Sequence, residues 1–320
     1  MQSYWIVPAA GGVALEARDI PRPEPKEGQL VVRVRATSFN RGELLPGHGA
    51  ASAKPAGGEC AGEVAGVGAG VNGFALGDRV MGRCAGGFAE FATMDAREAL
   101  RIPAKLSWEQ AAAIPLVFMV VHDMLVAQGR LKASEWLLVT GVSSGVGVAA
   151  LQAAKAIGAK VIGTSGSPDK LARLRELGLD VGVATRGGGI YEATMQATGG
   201  KGANLVVNNV GGTVFAECIR ALAYEGRLAT VGYLDRTLAA KIDLEALHAK
   251  RLTLFGVSNR LRPPAERALT VRGFERDFLP YFADGRIAPV IDRVFGFAEV
   301  PAAHAYFDSN ATLGKVIVRF

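Results

Sequence analysis

The sequence has little cysteine, little proline, no long apolar run and no block of like charge, and each shortage removes a class of protein. Its three cysteines, Cys60, Cys84 and Cys218, show no Cys-x-x-Cys spacing and cannot all pair. A disulfide-stapled secreted scaffold is thereby excluded, and a reducing cytoplasm is the expected location. The longest unbroken apolar stretch, Ala111–Val121, is eleven residues and contains Pro115, whereas a membrane span needs about 20. No membrane partner is therefore expected. Met1–Gly12 lacks a basic segment ahead of an apolar one, so no secretory signal is expected either. Fourteen prolines are too few for a low-complexity linker protein. Thirty-six basic against 30 acidic residues leave a net charge of +6, which allows anionic small ligands. The densest basic stretch, Asn259–Arg276, is broken by Glu266 and Glu275 and reads as a solvated helix face, so nucleic acid is not expected as a partner.

Glycine is in excess, 41 of 320 residues, without the three-residue period of collagen. It must serve turns and close backbone approaches. Up to about Arg101 the chain shows short alternating runs such as Leu30–Ala36, and Gly57–Gly82 carries turn signals every few residues. That pattern predicts a small, strongly curved β-barrel. From Ser107, which with Gln110 has the spacing of a capping box, the pattern changes. Strand-like and helix-like segments then alternate from Glu135 to Val231, ending with a helix over Phe215–Ala223 and a strand over Arg227–Val231, followed by a possible helix around Leu244–Lys250 and an apolar strand, Leu252–Val257. This alternation predicts an α/β fold, a doubly wound parallel sheet covered by helices. One helix near Pro264–Ala283 and a strand at Lys315–Phe320 complete the reading.

The strongest local motif is Val139–Gln152, an apolar strand running through a glycine turn into a helix. Gly141, Gly145 and Gly147, with Val146 between the last two, bring backbone N–H groups of a helix N-terminus against a pyrophosphate; Ser143 and Ser144 can add hydroxyl donors. An acidic residue about 20 positions on would mark NAD, but the second strand ends at Ser165. Ser165 and Ser167 leave room and donors for a 2′-phosphate, with Lys170 one turn on and Arg186 after the third strand, so NADPH is the predicted cofactor. Ser167-Pro168-Asp169 also reads as an ordinary helix N-cap. Asn208, Asn209 and Gly211, and then Val231, Gly232 and Tyr233, stand at strand ends where open parallel sheets bind ligands, here the nicotinamide side.

The chain resembles a zinc-independent medium-chain dehydrogenase/reductase of the NADPH:quinone oxidoreductase branch. The likeness runs end to end through Asn40-Arg41, GGECAGEVAGVGAGVNGFALGDRV, GGFAEF, EQAAAIPL, the glycine turn, LVVNNVGG, GRLATVG, Arg260-x-Arg262, PVIDRVF and LGKVIV. It implies a GroES-like β-barrel domain built from both chain ends around a Rossmann domain, with boundaries at 1–118, 119–258 and 259–320. At the positions matching the catalytic zinc ligands of other members stand Asn40, Gly58 and Pro115, with the nearby glutamate kept as Glu59, and the four-cysteine lobe is missing. No metal is expected, since none of the three offers a thiolate, imidazole or carboxylate. The resemblance places Asn40, Arg41 and His48 toward the acceptor and Phe255, Val257 and Ser258 toward the carboxamide; Glu59 itself reads as a residue that hydrogen-bonds locally and braces the barrel. It implies a homodimer paired through the edge strand 252–257. Leu45, Gly47, His122 and Thr185 depart from the branch by removing hydroxyl, phenol or guanidinium groups. The expected activity is hydride transfer to a quinone or other conjugated acceptor such as an enone. The alternatives are an enoyl-thioester or alkenal reductase and, in another class, an NADPH-binding redox sensor or RNA-binding protein with weak catalysis.

Overall fold

A computed structural model describes residues 1–9, 12–44 and 52–320. The chain folds as two compact units, residues 1–119 with 263–320, and residues 120–262. The first segment contributes β1 (Gln2–Ala9), β2 (Gly12–Asp19), β3 (Gln29–Ser38), β4 (Lys54–Pro55), β5 (Glu59–Val67), β6 (Arg79–Arg83), β7 (Phe91–Asp95) and β8 (Ala99–Arg101). The 120–262 unit holds β9 (Trp136–Thr140), β10 (Lys160–Ser165), β11 (Val181–Ala184), β12 (Ala203–Asn208), β13 (Leu222–Thr230) and β14 (Thr253–Gly256). The returning segment adds β15 (Ile291–Gly296) and β16 (Lys315–Arg319).

In the first unit the main sheet has the order β15-β16-β3-β5-β6-β8, with β7 also on β3, and a smaller sheet has the order β2-β1-β4. Register shifts between Val31 and Val32 and between Val34 and Ala36 interrupt the β3–β5 ladder. Such bulges bend and twist a sheet, which wraps it around a core of Leu30, Val32, Val34, Cys60, Val64, Val80, Ala92, Met94 and Ala99. The last strand of the chain thus lies beside β3, in the GroES-like arrangement expected from the resemblance. The Ser107/Gln110 capping box forms at the start of helix Trp108–Ala112.

In the second unit the strands run β11-β10-β9-β12-β13-β14, all parallel. This is the doubly wound Rossmann order, and it reverses between β9 and β12, where the loops at their carboxyl ends form a ligand crevice. Leu138, Ile162, Val206 and Leu228 alternate inward on four adjacent strands and pack with Ile190, Cys218 and Ile219.

Three expectations need correction. The helix placed over Pro264–Ala283 is two helices, Pro264–Asp277 and Leu279–Asp284, because Pro280 has no N–H to continue the first ladder. The strand expected from Arg227 already begins at Leu222, so the preceding helix stops at Ala221. The edge strand is shorter than 252–257, covering only Thr253–Gly256. No helix among the described residues is long and apolar enough to cross a membrane.

Candidate functional site

In the 120–262 unit, β9 ends at Thr140 and helix Gly145–Ile157 begins beyond a short turn. Ser144 is the N-cap: its Oγ accepts the Gly147 N–H at 3.1 Å and donates to the Gly141 carbonyl at 2.9 Å. Its hydroxyl is therefore spent on the turn. The N–H groups of Gly145 and Val146 have no protein acceptor among the described residues and stand at the positive end of a thirteen-residue helix dipole, the arrangement that binds a phosphate. Ser143 Oγ lies 3.2 Å from Ser165 Oγ, joining the glycine turn to the end of β10.

The Ser165 hydroxyl also accepts the Ser167 N–H, and Ser167 caps the helix Pro168–Glu176 by accepting from the Lys170 N–H. The N-cap reading of Ser167 is thus realised. Arg186 is exposed, and its guanidinium lies over Gly166, where the Cζ would be 2.8 Å from any Cβ. Two hydroxyls, a helix N-terminus and a guanidinium are brought together without a carboxylate from β10, a set that suits a phosphate dianion.

At the end of β12, Asn208 is fully buried. Its Oδ1 accepts from Thr140 Oγ1 and from the N–H groups of Val210 and Gly211, and its Nδ2 donates to the Gly211 carbonyl at 2.9 Å. Asn209 donates through Nδ2 to the Thr140 carbonyl. Both amides brace the turn, which leaves the backbone to meet a ligand. Across from it Asp235 accepts from the N–H and Oγ1 of Thr213 and from the Thr237 N–H, tying this turn to the loop after β13. Gly211, at φ +126°, passes so close that a Cβ would stand 2.1 Å from Asp235 Oδ1. Gly211→Ala is expected to lower the thermal midpoint by several degrees, a cost of about 1–3 kcal/mol from overpacking and strain; an unchanged melting curve would show that the Asp235 clamp yields freely. Val231, Gly232 and the exposed Tyr233 follow β13 directly. Phe255 is half-buried on β14, Val257 is buried and Ser258 exposed.

The other unit holds a buried polar cluster. Pairing of β16 with β3 puts Ile317 opposite Ser38, and pairing of β3 with β5 puts Thr37 opposite Cys60, so Lys315, Asn40 and Glu59 gather at one end of three adjacent strands. Glu59 is 0% exposed and Lys315 5%. The Lys315 ammonium donates to Glu59 Oε1 at 3.0 Å, Asn40 Oδ1 at 2.8 Å and the Phe39 carbonyl at 3.0 Å. Ser38 Oγ donates to the same Glu59 oxygen, and the Leu116 N–H reaches the other at 2.7 Å. That N–H belongs to the first turn of helix Pro115–His122, whose dipole favours an anion there. The expectation that Glu59 braces the barrel is met.

Asn40 has both amide hydrogens engaged, one on Glu59 Oε1 at 2.7 Å and one on Glu43 Oε1 at 3.2 Å. Arg41 is likewise occupied, donating to the Phe307 carbonyl and Asn310 Oδ1 with its guanidinium over the Phe307 ring. His48 lies outside the described residues. Glu43 accepts the Gly58 N–H at 3.0 Å. Desolvation, reinforced by the charge of Glu59, raises its carboxyl from the ordinary 4.5 to about 7 against the opposing pull of Lys315. A Cβ at residue 58 would meet Glu43 Oε1 at 2.7 Å, so this carboxyl fills the space a side chain there would enter. Among the described residues no group of three or more His, Cys, Asp or Glu is placed to hold a metal ion.

Residues 26–104 match the alcohol dehydrogenase GroES-like domain and residues 145–270 the zinc-binding dehydrogenase family. The chain belongs to the medium-chain dehydrogenase/reductase family. Among its relatives in this family, the spectinabilin polyketide synthase system protein NorB of Streptomyces orinoci is 33% identical over 98% of the chain, which spans 14% of NorB. Quinone oxidoreductase-like protein 2 homolog of Nematostella vectensis is 29% identical, with 91% of this chain and 81% of that protein covered. Acryloyl-coenzyme A reductase of Metallosphaera sedula is 28% identical, covering 95% and 96%. A mycobacterial protein solved with NADPH superposes over 100% of both chains with a TM-score of 0.88 and 24% identity. Within this medium-chain fold, Glu43, Lys315 and Asp235 are the polar residues that sequence reasoning passed over. Lys315 carried one weak signal: a lysine heading the apolar run Val316–Val318 of the closing strand.

Proposed function

We propose that this chain is an NADPH-dependent, metal-free oxidoreductase that delivers hydride to a quinone or another conjugated, enone-type acceptor. The observation that carries this reading is the polar cluster: where zinc-dependent relatives would need ligands, the chain has an amide, a glycine and a proline around an internal Lys315–Glu59 ion pair. A conjugated acceptor suits such a site, because charge arriving with hydride spreads to a distant oxygen and a metal Lewis acid is not required. The reduced nicotinamide, when bound, supplies the hydride. Gly145 and Val146 would hold the pyrophosphate through their free N–H groups, and Ser165, Ser167, Lys170 and Arg186 the 2′-phosphate. The turn fixed by Asn208, Asn209, Gly211 and Asp235 would border the nicotinamide side, with Val231, Gly232, Tyr233, Phe255, Val257 and Ser258 completing it.

A second reading, reduction of an enoyl thioester, is favoured by the names of the polyketide synthase and acryloyl-coenzyme A reductase relatives. Parallel turnover of 1,4-benzoquinone, 9,10-phenanthrenequinone, an alkenal and a crotonyl thioester separates the two. NADPH is expected to outperform NADH in kcat/KM. Arg186→Ala should remove about 10–100-fold of that preference, the worth of one hydrogen bond to a charged group, while NADH turnover stays unchanged. Equal use of both cofactors by the unaltered protein would defeat the 2′-phosphate assignment. Pairing through the edge strand Thr253–Gly256 would complete a cytoplasmic homodimer.

A further inference from the structure

We infer that Asp123 is a positioning residue for the nicotinamide end of NADPH: one oxygen of its carboxylate fastens both ends of the segment that follows β14. The inference rests on the proposed placement of Val257 and Ser258 on the nicotinamide side and adds what holds them there. Every side chain it uses lies within residues 120–262. The helix Pro115–His122 runs into a single π-turn, Asp123–Ala127, in which the Gln128 N–H donates to the Asp123 carbonyl at 2.9 Å. In a regular α-helix, side chains five residues apart point about 140° away from each other. The wider turn brings these two together, and such turns are frequent at functional sites.

Gln128 Nε2 donates one hydrogen to Asp123 Oδ2 at 3.2 Å and the other to the Gly256 carbonyl at 3.3 Å. The same Asp123 oxygen pairs with Arg262 Nη1 at 3.5 Å, and that nitrogen also donates to Asn259 Oδ1 at 3.4 Å. Inside the segment the Arg262 N–H reaches the Asn259 carbonyl and the Arg260 N–H reaches Ser258 Oγ. Gly256–Arg262 is thus a loop closed at its neck by a carboxylate that is 7% exposed. The Val257 N–H extends the parallel β13–β14 ladder by one bond, to the Thr230 carbonyl at 3.0 Å. The loop therefore leaves the sheet at its carboxyl edge, where the glycine turn after β9 also lies. Removing the charge at Asp123 weakens both attachments, so that binding must itself order Val257–Asn259, which costs affinity.

The test titrates the full chain by calorimetry with NADPH and with 2′-phospho-ADP-ribose, which has the adenine, the 2′-phosphate and the pyrophosphate but no nicotinamide. Asp123→Asn should weaken NADPH binding about 10–100-fold, the worth of one hydrogen bond to a charged group, and leave 2′-phospho-ADP-ribose unchanged. Arg262→Met should give the same pattern, and the double variant should be no worse than the worse single, because both changes break one ion pair. Gln128→Ala alters an exposed residue and tests the idea should Asp123→Asn not fold; it should weaken NADPH alone by about 2–10-fold, one neutral hydrogen bond. In the cofactor-free variants, amide exchange should quicken across residues 257–262 and stay slow in β9 and β12. Equal weakening of the two ligands, or no weakening of either, overturns the inference. A protein whose NADPH binding follows this pattern but which reduces no acceptor overturns the reductase reading and keeps this role.

Discussion

Replacing Lys315 by methionine is expected to destabilise the protein by about 3–5 kcal/mol, because it strips the counter-charge from a carboxylate that has no access to water. Glu59 is 0% exposed, and the ammonium of Lys315 stands 3.0 Å from its Oε1. Ser38, Asn40 and Leu116 also donate to that carboxylate, but neutral donors only partly offset a full buried charge. Methionine matches the lysine stem in length, so packing is nearly conserved and the charge is what changes. For a folding unit of this size each 1 kcal/mol is worth about 2–4 °C, so calorimetry should show the midpoint falling by roughly 6–20 °C. The double variant Glu59→Gln/Lys315→Met removes both charges and should recover most of the loss, since exchanging a buried pair for neutral groups is often close to neutral. A single variant costing under about 1 kcal/mol, or a double variant no better than the single, would mean that Lys315 contributes packing alone.

The contrast between the two units explains what could be read from the sequence. The glycine turn was legible because its parts are local: Gly141, Ser144 and Gly147 lie within seven residues, and the strand and helix on either side announce themselves by their own periodicity. Arg186 was legible for a related reason, since successive parallel strands β10 and β11 must end at the same edge. The Lys315 cluster is built from residues 256 and 275 positions apart that meet only when the closing strand lies down beside β3. No local pattern records that pairing, and a lysine in LGKVIV reads as an exposed strand end. Residue type also predicted position better than role. Asn208 and Ser144 are where they were expected, yet their side chains satisfy neighbouring backbone groups. In a crevice made of loop ends, backbone hydrogen-bonding groups must be paired before a ligand arrives, and short polar side chains do this. Glu43 was missed because a carboxylate in a four-residue helix looks solvated. Only the glycine at position 58 lets it fold inward, and that space is visible in three dimensions alone.

Gly147→Ala is expected to weaken NADPH binding by at least about 100-fold while leaving the fold recognisable. The added Cβ would lie 2.6 Å from the Gly141 carbonyl oxygen and 2.7 Å from the Cα and C of Val142, backbone atoms with no rotamer to escape into. Those atoms are pinned in turn. The Val142 N–H is bonded to the Thr164 carbonyl at 2.9 Å, the Gly141 N–H to Thr164 Oγ1 at 3.2 Å, and the Gly141 carbonyl accepts from Ser144 Oγ at 2.9 Å. Relief must come from the helix start moving away from β9, and overpacking of this kind costs about 1–3 kcal/mol. The displaced groups are the Gly145 and Val146 N–H donors themselves, and a hydrogen bond to a charged phosphate is worth about 1.5–3 kcal/mol, so losing two accounts for the expected fall in affinity. Gly187→Ala is the matched control: it also adds one methyl group in this unit, with nothing within 4 Å to meet it. Fluorescence titration with NADPH should leave the control unaffected and push Gly147→Ala beyond easy saturation, whereas binding within threefold of the unaltered protein would show that the turn can open without cost and that the phosphate is held elsewhere.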